Sequence, residues 1–491
     1  MKTNVFLKTG IFHRKRICGV ALYLLTTAAV GQTALQSNLD RLLDDGFYQT
    51  ATVGISVYDL TEGRTLYNRN ERHLCRPASN MKLLTSAAAL HFLGSSHEFR
   101  TCLLRTGTVD DAGCLHGNLY LIGGFDPEFS SSGLDTMILM LQKAGISRFE
   151  GKVHTDVSMF DGVQWGKGWS WDDDMEAFQP YLSPLPLNKG VVKLKTLPAA
   201  PGHAPVILTE PGSDFIRIEN NAATVWQSPD PARKTLHFSR TFDGSHNTIA
   251  VSGTIAAKAQ AYETAISLQS PEMYIETVFR EKLSEQLPGS RPESGGRLVP
   301  PAAADTVGYV RHGIWEVIRQ MNKESDNLNA EMLLYALGRQ CCGDPASTEK
   351  GVEQLRQMLR QLGLNPEHYS IVDGSGLSHQ NYLTPEVMIA ILKHLYATQE
   401  YEPFKLSLPE AGMDGTLKNR MKKTPAYRKV FAKTGSLTGI SALSGYMEAP
   451  NGHLLAFSVM VQNFVEKNAF VNANHIDKIC DRILTDALAE P

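Results

Sequence analysis

Between Ala51 and Asp59 the chain reads Ala-Thr-Val-Gly-Ile-Ser-Val-Tyr-Asp, a near alternation of apolar and polar positions that predicts a strand. The turn Thr61-Glu-Gly-Arg64 follows, and Thr65-Leu-Tyr67 continues the pattern, so the segment predicts a hairpin. The period then changes. Residues 79–93 are apolar nearly all round, which predicts a helix that runs through a core, stopped by Gly94. From about 98 to 296 the pattern breaks into short strand-like runs, turns and aromatic-rich loops. Four prolines between Pro198 and Pro211 mark an expected boundary between subdomains. Helical periods return at 313–322, 330–339, 348–362 and 385–397. Strand-like runs follow at 428–433, 441–447 and 453–462, and a last helix at 477–488. A hairpin and helix at one end, with strands and a helix at the other, predict an α+β fold whose mixed sheet is interrupted by a long insertion.

The N-terminus stands outside this pattern. Lys2, Lys8, Arg14, Lys15 and Arg16 precede an apolar run over residues 17–30, and Ala29-Val30-Gly31 supplies small residues. Residues 1–31 therefore read as a secretory signal peptide cleaved near Gly31, the alternative being an uncleaved anchor. Cys18 lacks the small residues that precede a lipid-modified cysteine, and no second candidate span follows. The expected compartment is the periplasm.

Export changes two other numbers. The 491 residues carry 48 basic and 51 acidic side chains, a net of −3; residues 1–31 hold five basic and no acidic ones, so the mature chain stands at −8. Neither value gives the clustered basic excess that nucleic-acid binding needs. Six cysteines remain, with no zinc-ligand spacing. In an oxidising compartment Cys102 and Cys114 could bridge, because strand-like runs carrying them flank the turn-rich residues 107–113; the alternative is six reduced, mostly buried thiols.

The chemistry begins at Ser79-Asn-Met-Lys82, just after Pro77 at a predicted helix start. Residues three apart share a helix face, so the spacing brings a hydroxyl within reach of an amine base. The positive helix end also favours negative charge developing there. The pattern alone is weak. Ser347-Thr-Glu-Lys350 has the same spacing and reads as helix capping on a solvated face. Ser325-Asp-Asn327 lies on a polar loop before a helix predicted near Leu328, and has a chance counterpart in Ser245-His-Asn247. Lys433-Thr-Gly435, followed by Ser436, ends a strand-like run, and has one in Lys8-Thr-Gly10. Only Ser79, Ser325 and Lys433 occur as helix start, loop and strand edge in the order that one active site needs.

This triple resembles that of the penicillin-binding serine DD-peptidases. The nearer resemblance is to D-alanyl-D-alanine carboxypeptidases/endopeptidases with a large insertion after the first motif (low-molecular-mass class C, peptidase S13-like). Asp373-Gly-Ser-Gly-Leu-Ser378, Asp414-Gly-Thr-Leu417 and Ala432-Lys-Thr-Gly-Ser-Leu-Thr-Gly439 also carry it. The resemblance implies a transpeptidase-type catalytic domain over 32–97 and 297–491. It also implies a β-rich insertion over 98–296 with two nested parts, 98–187 with 262–296, and 188–261. It assigns acylation to Ser79 and the base to Lys82. Burial and the charge of Lys433 would depress that lysine. Ser325 would relay a proton to the leaving amine, with Asn327 holding Lys82 or the substrate amide. Lys433, Thr434, Gly435 and Ser436 would receive the substrate carboxylate, and the N–H groups of Ser79 and Ser436 would form the oxyanion hole. The family often carries an arginine where His379 stands, and a substrate-binding aspartate that Asp173 resembles; the alternative for Asp173 is a solvated acidic turn. The scheme calls for no metal or cofactor. It implies peptidoglycan stem peptides as substrate and β-lactams as covalent ligands, and leaves as alternatives a β-lactamase or esterase of the same fold and a non-catalytic wall-binding protein.

Overall fold

The computed structural model describes residues 33–227 and 235–486; the expected leader lies outside them. Its central element is a five-stranded sheet in the order Val430–Leu437, Ile440–Glu448, Leu454–Gln462, Thr52–Asp59, Arg64–Arg69. The predicted hairpin thus joins the C-terminal strands, in register from Thr52 opposite Gln462 to Asp59 opposite Leu455. Every neighbouring pair is antiparallel, and the sheet is built from strands at both ends of the chain as the pattern suggested.

Both faces of the sheet are covered. Along Leu454–Gln462, Leu455, Phe457, Val459 and Val461 pack with Leu35, Leu39, Ile479 and Ile483 of the helices Ala34–Leu43 and Asp477–Asp486. Ala456 and Met460 on the same strand face the opposite layer, which contains Leu83, Leu84, Met332 and Met388. Side chains alternate across a strand, so two apolar layers call for a strand that is apolar on both faces; this one is so except at Ser458, whose hydroxyl is paired with Ser444, and at the terminal Gln462. The helix Met81–Phe92 sits in the second layer, and all ten residues from Met81 to Leu90 are buried. An all-round apolar helix has no face to give to water.

The inserted region builds three further sheets. The largest has seven strands, with Glu98–Arg105, Leu119–Ile122 and Arg148–Asp156 at its centre. Its edge strand, Asp305–Gly313, falls within residues expected to be catalytic, yet pairs antiparallel with Glu98–Arg105. Val191–Leu197 pairs with both Val206–Glu210 and Tyr262–Ser267. The proline-marked stretch is therefore a strand connection inside one sheet and not a boundary. Residue 262 likewise begins a strand of this sheet and not of the 98–187 body. The third sheet holds Ile216–Val225, Leu236–Phe242 and Asn247–Ala256.

The cysteine expectation fails in both its forms. Cys341 and Cys342, adjacent in the chain, are disulfide-bonded, whereas Cys102 and Cys114 are free thiols. Cys102 lies on Glu98–Arg105 and Cys114 on the short Cys114–His116, near each other in sequence but separated in the sheet by Leu119–Ile122 and Arg148–Asp156. At about 4.8 Å per strand this leaves them much too far apart to bridge. Among the described residues no helix is long and apolar enough to cross a membrane.

Candidate active site

Ser79 lies on the 3-10 turn Ala78–Asn80 that leads into the helix Met81–Phe92. Three contacts hold this turn. Asn80 Nδ2 donates to Ser444 Oγ at 2.7 Å, which ties the turn to the central sheet. At Gly435 an added Cβ would lie 2.6 Å from the Pro77 carbonyl oxygen, and at Gly376 it would lie 1.9 Å from that of Ala78. Both glycines let backbone close on the turn from opposite sides, and Gly376 has φ +83° besides.

Lys82 follows one helical turn later and is fully buried. Its three donors meet three acceptors: Ser79 Oγ at 2.9 Å, Asn327 Oδ1 at 2.5 Å and the Ser375 carbonyl at 2.7 Å. Burial drives its pKa down to about 8, against the opposing pull of Asp373, Glu331 and Asp326. An ordinary lysine is neutral in about one molecule in three thousand at pH 7; at about 8 it is neutral in about one in ten. The expected push from Lys433 falls instead on Lys433 itself, which burial and then Lys82 hold well below the usual lysine range.

Beneath Lys82 lies a pair of buried acids that the sequence motifs did not mark as functional. Glu331 accepts from the backbone N–H groups of Gly374 and Ser375. Burial, then the Asp373 charge, raise its pKa to about 8. Asp373 accepts from Gly376 N–H, Ser378 N–H, Asn381 Nδ2 and Trp169 Nε1. Glu331 was legible in principle: it stands four residues after Asn327, on the same helix face.

The second motif starts the helix Asn327–Cys342. Asp326, not Ser325, caps it, accepting from Asn329 N–H at 3.1 Å. Ser325 adopts φ 61°, a left-handed conformation uncommon outside glycine and asparagine. From there its Oγ accepts from Lys433 Nζ at 2.9 Å. Asn327 turns its Oδ1 to Lys82 and its Nδ2 to the Phe178 carbonyl at 2.6 Å.

Val430–Leu437 is the edge strand that carries the third motif. Ala432 N–H donates to the Pro409 carbonyl, and the Val430 carbonyl accepts from Ala411 N–H. The even-numbered residues thus direct their backbone groups away from the sheet, and Ser436 shares that parity. Its N–H faces the cleft side. Thr434 Oγ1 donates to Thr416 Oγ1 at 2.8 Å, and Ser436 Oγ accepts from Asn468 Nδ2 at 2.6 Å. Thr416 belongs to the Asp414-Gly-Thr-Leu417 stretch, which carried no assigned role, and Asn468 is a further residue at the site outside every motif.

Ser79, Ser325, Asn327 and Ser436 line one cleft of about 440 Å³ together with Asp173 and His379. The Asp173 carboxyl is raised by partial burial and Asp172, and lowered by His379. All ten sequence-nominated residues therefore converge on one site: Lys82 and Lys433 beneath the floor, Thr434 and Gly435 along the strand edge.

Residues 35–484 match the family described as D-Ala-D-Ala carboxypeptidase 3 (S13). The chain belongs to that family. A relative from Actinomadura sp., named D-alanyl-D-alanine carboxypeptidase, is 30% identical over 464 residues, covering 90% of this chain and 84% of its own length. The crystal structure of penicillin binding protein 4 (dacB) from Haemophilus influenzae superimposes with a TM-score of 0.77 at 22% identity, over 92% of this chain and all of that one. A second structure of that protein, complexed with a β-lactam, gives 0.72 at 22% identity, over 93% and 99%. This S13 chain thus has the α+β penicillin-binding-protein fold that the motif resemblance implied.

Proposed function

We propose that this S13 family member is an exported serine D-alanyl-D-alanine carboxypeptidase that shortens peptidoglycan stem peptides through an acyl-enzyme on Ser79. The observation that carries the reading is the 2.9 Å contact from Ser79 Oγ to a fully buried Lys82 whose pKa is lowered to about 8. Neutral Lys82 takes the Ser79 proton as Oγ bonds to the carbonyl carbon of the D-Ala-D-Ala peptide. The N–H groups of Ser79 and Ser436 receive the developing oxyanion. The C–N bond then breaks. The proton that Lys82 took from Ser79 is relayed through Ser325, held by Lys433, to the departing amine, so Lys82 is neutral again as D-alanine leaves. Water next attacks the ester, restoring Ser79 and releasing the shortened peptide. Asn327 keeps Lys82 in place, and the Thr434-Gly435-Ser436 edge beside Lys433 takes the terminal carboxylate. Asp173 and His379 flank the entrance and contact the remainder of the stem peptide. His379 cannot make the paired bonds to a carboxylate that an arginine makes.

The same steps cleave a crosslink when the leaving amine belongs to a second peptide, which is the DD-endopeptidase activity. A β-lactam acylates Ser79 by the same attack. The test uses the mature chain with a fluorescent penicillin and a pentapeptide. Covalent labelling lost in Ser79→Ala, with D-alanine released by the wild type, supports the reading. Absence of any adduct on the wild type overturns it, and fast turnover of the penicillin without D-alanine release would mark a β-lactamase instead. Release of monomer from a crosslinked dimer tests the endopeptidase step.

A further inference from the structure

The start of the Ser-Asp-Asn helix is gripped from the inserted region at three residues, Asp326, Asn327 and Asn329. Lys189 Nζ lies 2.7 Å from Glu128 Oε1, 3.2 Å from Asp326 Oδ2 and 2.6 Å from Asn329 Oδ1. Asn329 Nδ2 closes the ring by donating to Glu128 Oε1 at 2.6 Å. Asn327, between them, donates to the Phe178 carbonyl. Glu128, Phe178 and Lys189 all belong to the insertion. Lys189 reaches the loop from an unusual backbone: Asn188 and Lys189 are consecutive left-handed residues, with φ 49° and 65°. Asn188 is fixed there by a two-way exchange with Ser131, its Oδ1 accepting from the N–H and its Nδ2 donating to Oγ. Consecutive strained residues of this kind persist only where their surroundings over-determine them.

We propose that Lys189 is a positioning residue supplied by the inserted region: it holds Asp326 and Asn329 so that Asn327 stays aimed at Lys82, and it offsets the Asp326 charge beside that base. The inference rests on the reading of Lys82 as the acylation base. It gives the insertion a part in the reaction, since without it the second motif loses its outer wall.

The electrostatic half has a definite sign. The titratable groups facing Lys82 are Asp326 and Glu331 from the Ser-Asp-Asn helix, Asp373 from the loop below and Lys433 from the edge strand. Those facing Lys189 are Glu128 and Asp326, with Lys193 and Glu210 lining the same opening. Removing the Lys189 charge leaves Asp326 less compensated, and an uncompensated carboxylate favours the Lys82 ammonium. The acid limb of acylation then moves to higher pH. A merely loosened loop would lower the rate at every pH and leave the limb where it was.

The experiment follows penicillin acylation of the mature protein across pH, separating the limiting rate from the non-covalent binding constant. Lys189→Met is expected to lower the limiting rate on the order of ten-fold with binding unchanged. Its acid limb should rise by about half a pH unit. Lys189→Arg restores most of the rate, and Lys193→Met behaves as wild type. Asp326→Asn removes the opposite charge and shifts the limb to lower pH. A folded Lys189→Met with wild-type rate and limb overturns the proposal, as does a lowered rate with an unmoved limb. Should Lys189→Met not fold, an unmoved limb in Asp326→Asn overturns it alone. Failure of the wild type to be labelled would instead sink the acyl-enzyme reading, a distinct outcome.

Discussion

Ser79 to Lys82 and Ser347 to Lys350 have the same spacing and opposite chemistry. In the first, the lysine is buried and donates to the serine side chain, and its remaining donors go to Asn327 and Ser375. In the second, the serine is the N-cap of the helix Thr348–Gln361, and its Oγ accepts from the Lys350 backbone N–H at 3.3 Å. The Lys350 ammonium turns to the carbonyls of Cys342, Gly343 and Pro345, at the end of the preceding helix. There it is solvated and serves as a helix-end cation. Spacing puts both pairs on one helix face; only the surroundings differ. A core helix strips water from Lys82 and lowers its pKa, whereas a surface helix leaves Lys350 to its cap.

The largest expected contrast is covalent. Ser79→Ala abolishes labelling by a fluorescent penicillin, while Ser347→Ala is labelled as wild type; equal labelling of the two would erase the distinction drawn here. Next comes the base. Lys82→Ala is expected to slow acylation on the order of a thousand-fold. Lys350→Ala is expected to leave it unchanged, as stopped-flow labelling would report. Third is the pH at which the wild type acquires activity. Lys82 must be neutral to act, and its folded-state pKa is about 8, so the acylation rate rises as pH increases through about 8 and levels above it. A rate already flat from pH 6 upward would mean that another group is the base.

The sequence made the active-site framework readable because each motif is local: a helix start, a loop and a strand end announce themselves in a few residues. What it left out depends on pairing between distant segments. Cys102 and Cys114 illustrate this, since a turn-rich stretch between two strand-like runs reads as a bridgeable hairpin until two other strands are placed between them. Asp305–Gly313 follows the expected end of the insertion in sequence yet pairs with its strand Glu98–Arg105, again a contact between distant segments. Asp373 opens a stretch that carries the resemblance and Glu331 lies on the helix after the second motif, but an acid at either place usually faces water. Their burial follows only from the closure of the 373–378 loop over the Ser-Asp-Asn helix. The grip of Phe178 on Asn327 is through a carbonyl, which no side-chain pattern can announce.

Glu331 sharpens the buried side of the comparison through stability. Its folded pKa of about 8 lies above the usual 4.5, so between these values the folded state binds more protons than the unfolded one and wild-type stability falls as pH rises. Glu331→Gln cannot ionise and lacks this loss. The stability difference between variant and wild type should therefore move in favour of the variant between pH 5 and 8, by roughly 3 to 4 kcal/mol. Thermal denaturation across that range checks it, and parallel curves would mean that Glu331 is ionised at pH 5.

The smallest effect belongs to the exposed pair. Replacing an N-cap serine by alanine leaves one helix N–H without its acceptor and costs about 1 kcal/mol. Ser347→Ala should thus lower the denaturation midpoint slightly. Because the Lys350 ammonium holds carbonyls and not the Ser347 hydroxyl, the cost should not vary between pH 6 and 9. A pH-dependent loss, or any loss of acylation, would show that this second Ser-x-x-Lys is coupled to the catalytic one through the helix Asn327–Cys342, whose end it caps. Independence at both readouts would establish that burial, and not spacing, separates a nucleophile from a cap in this chain.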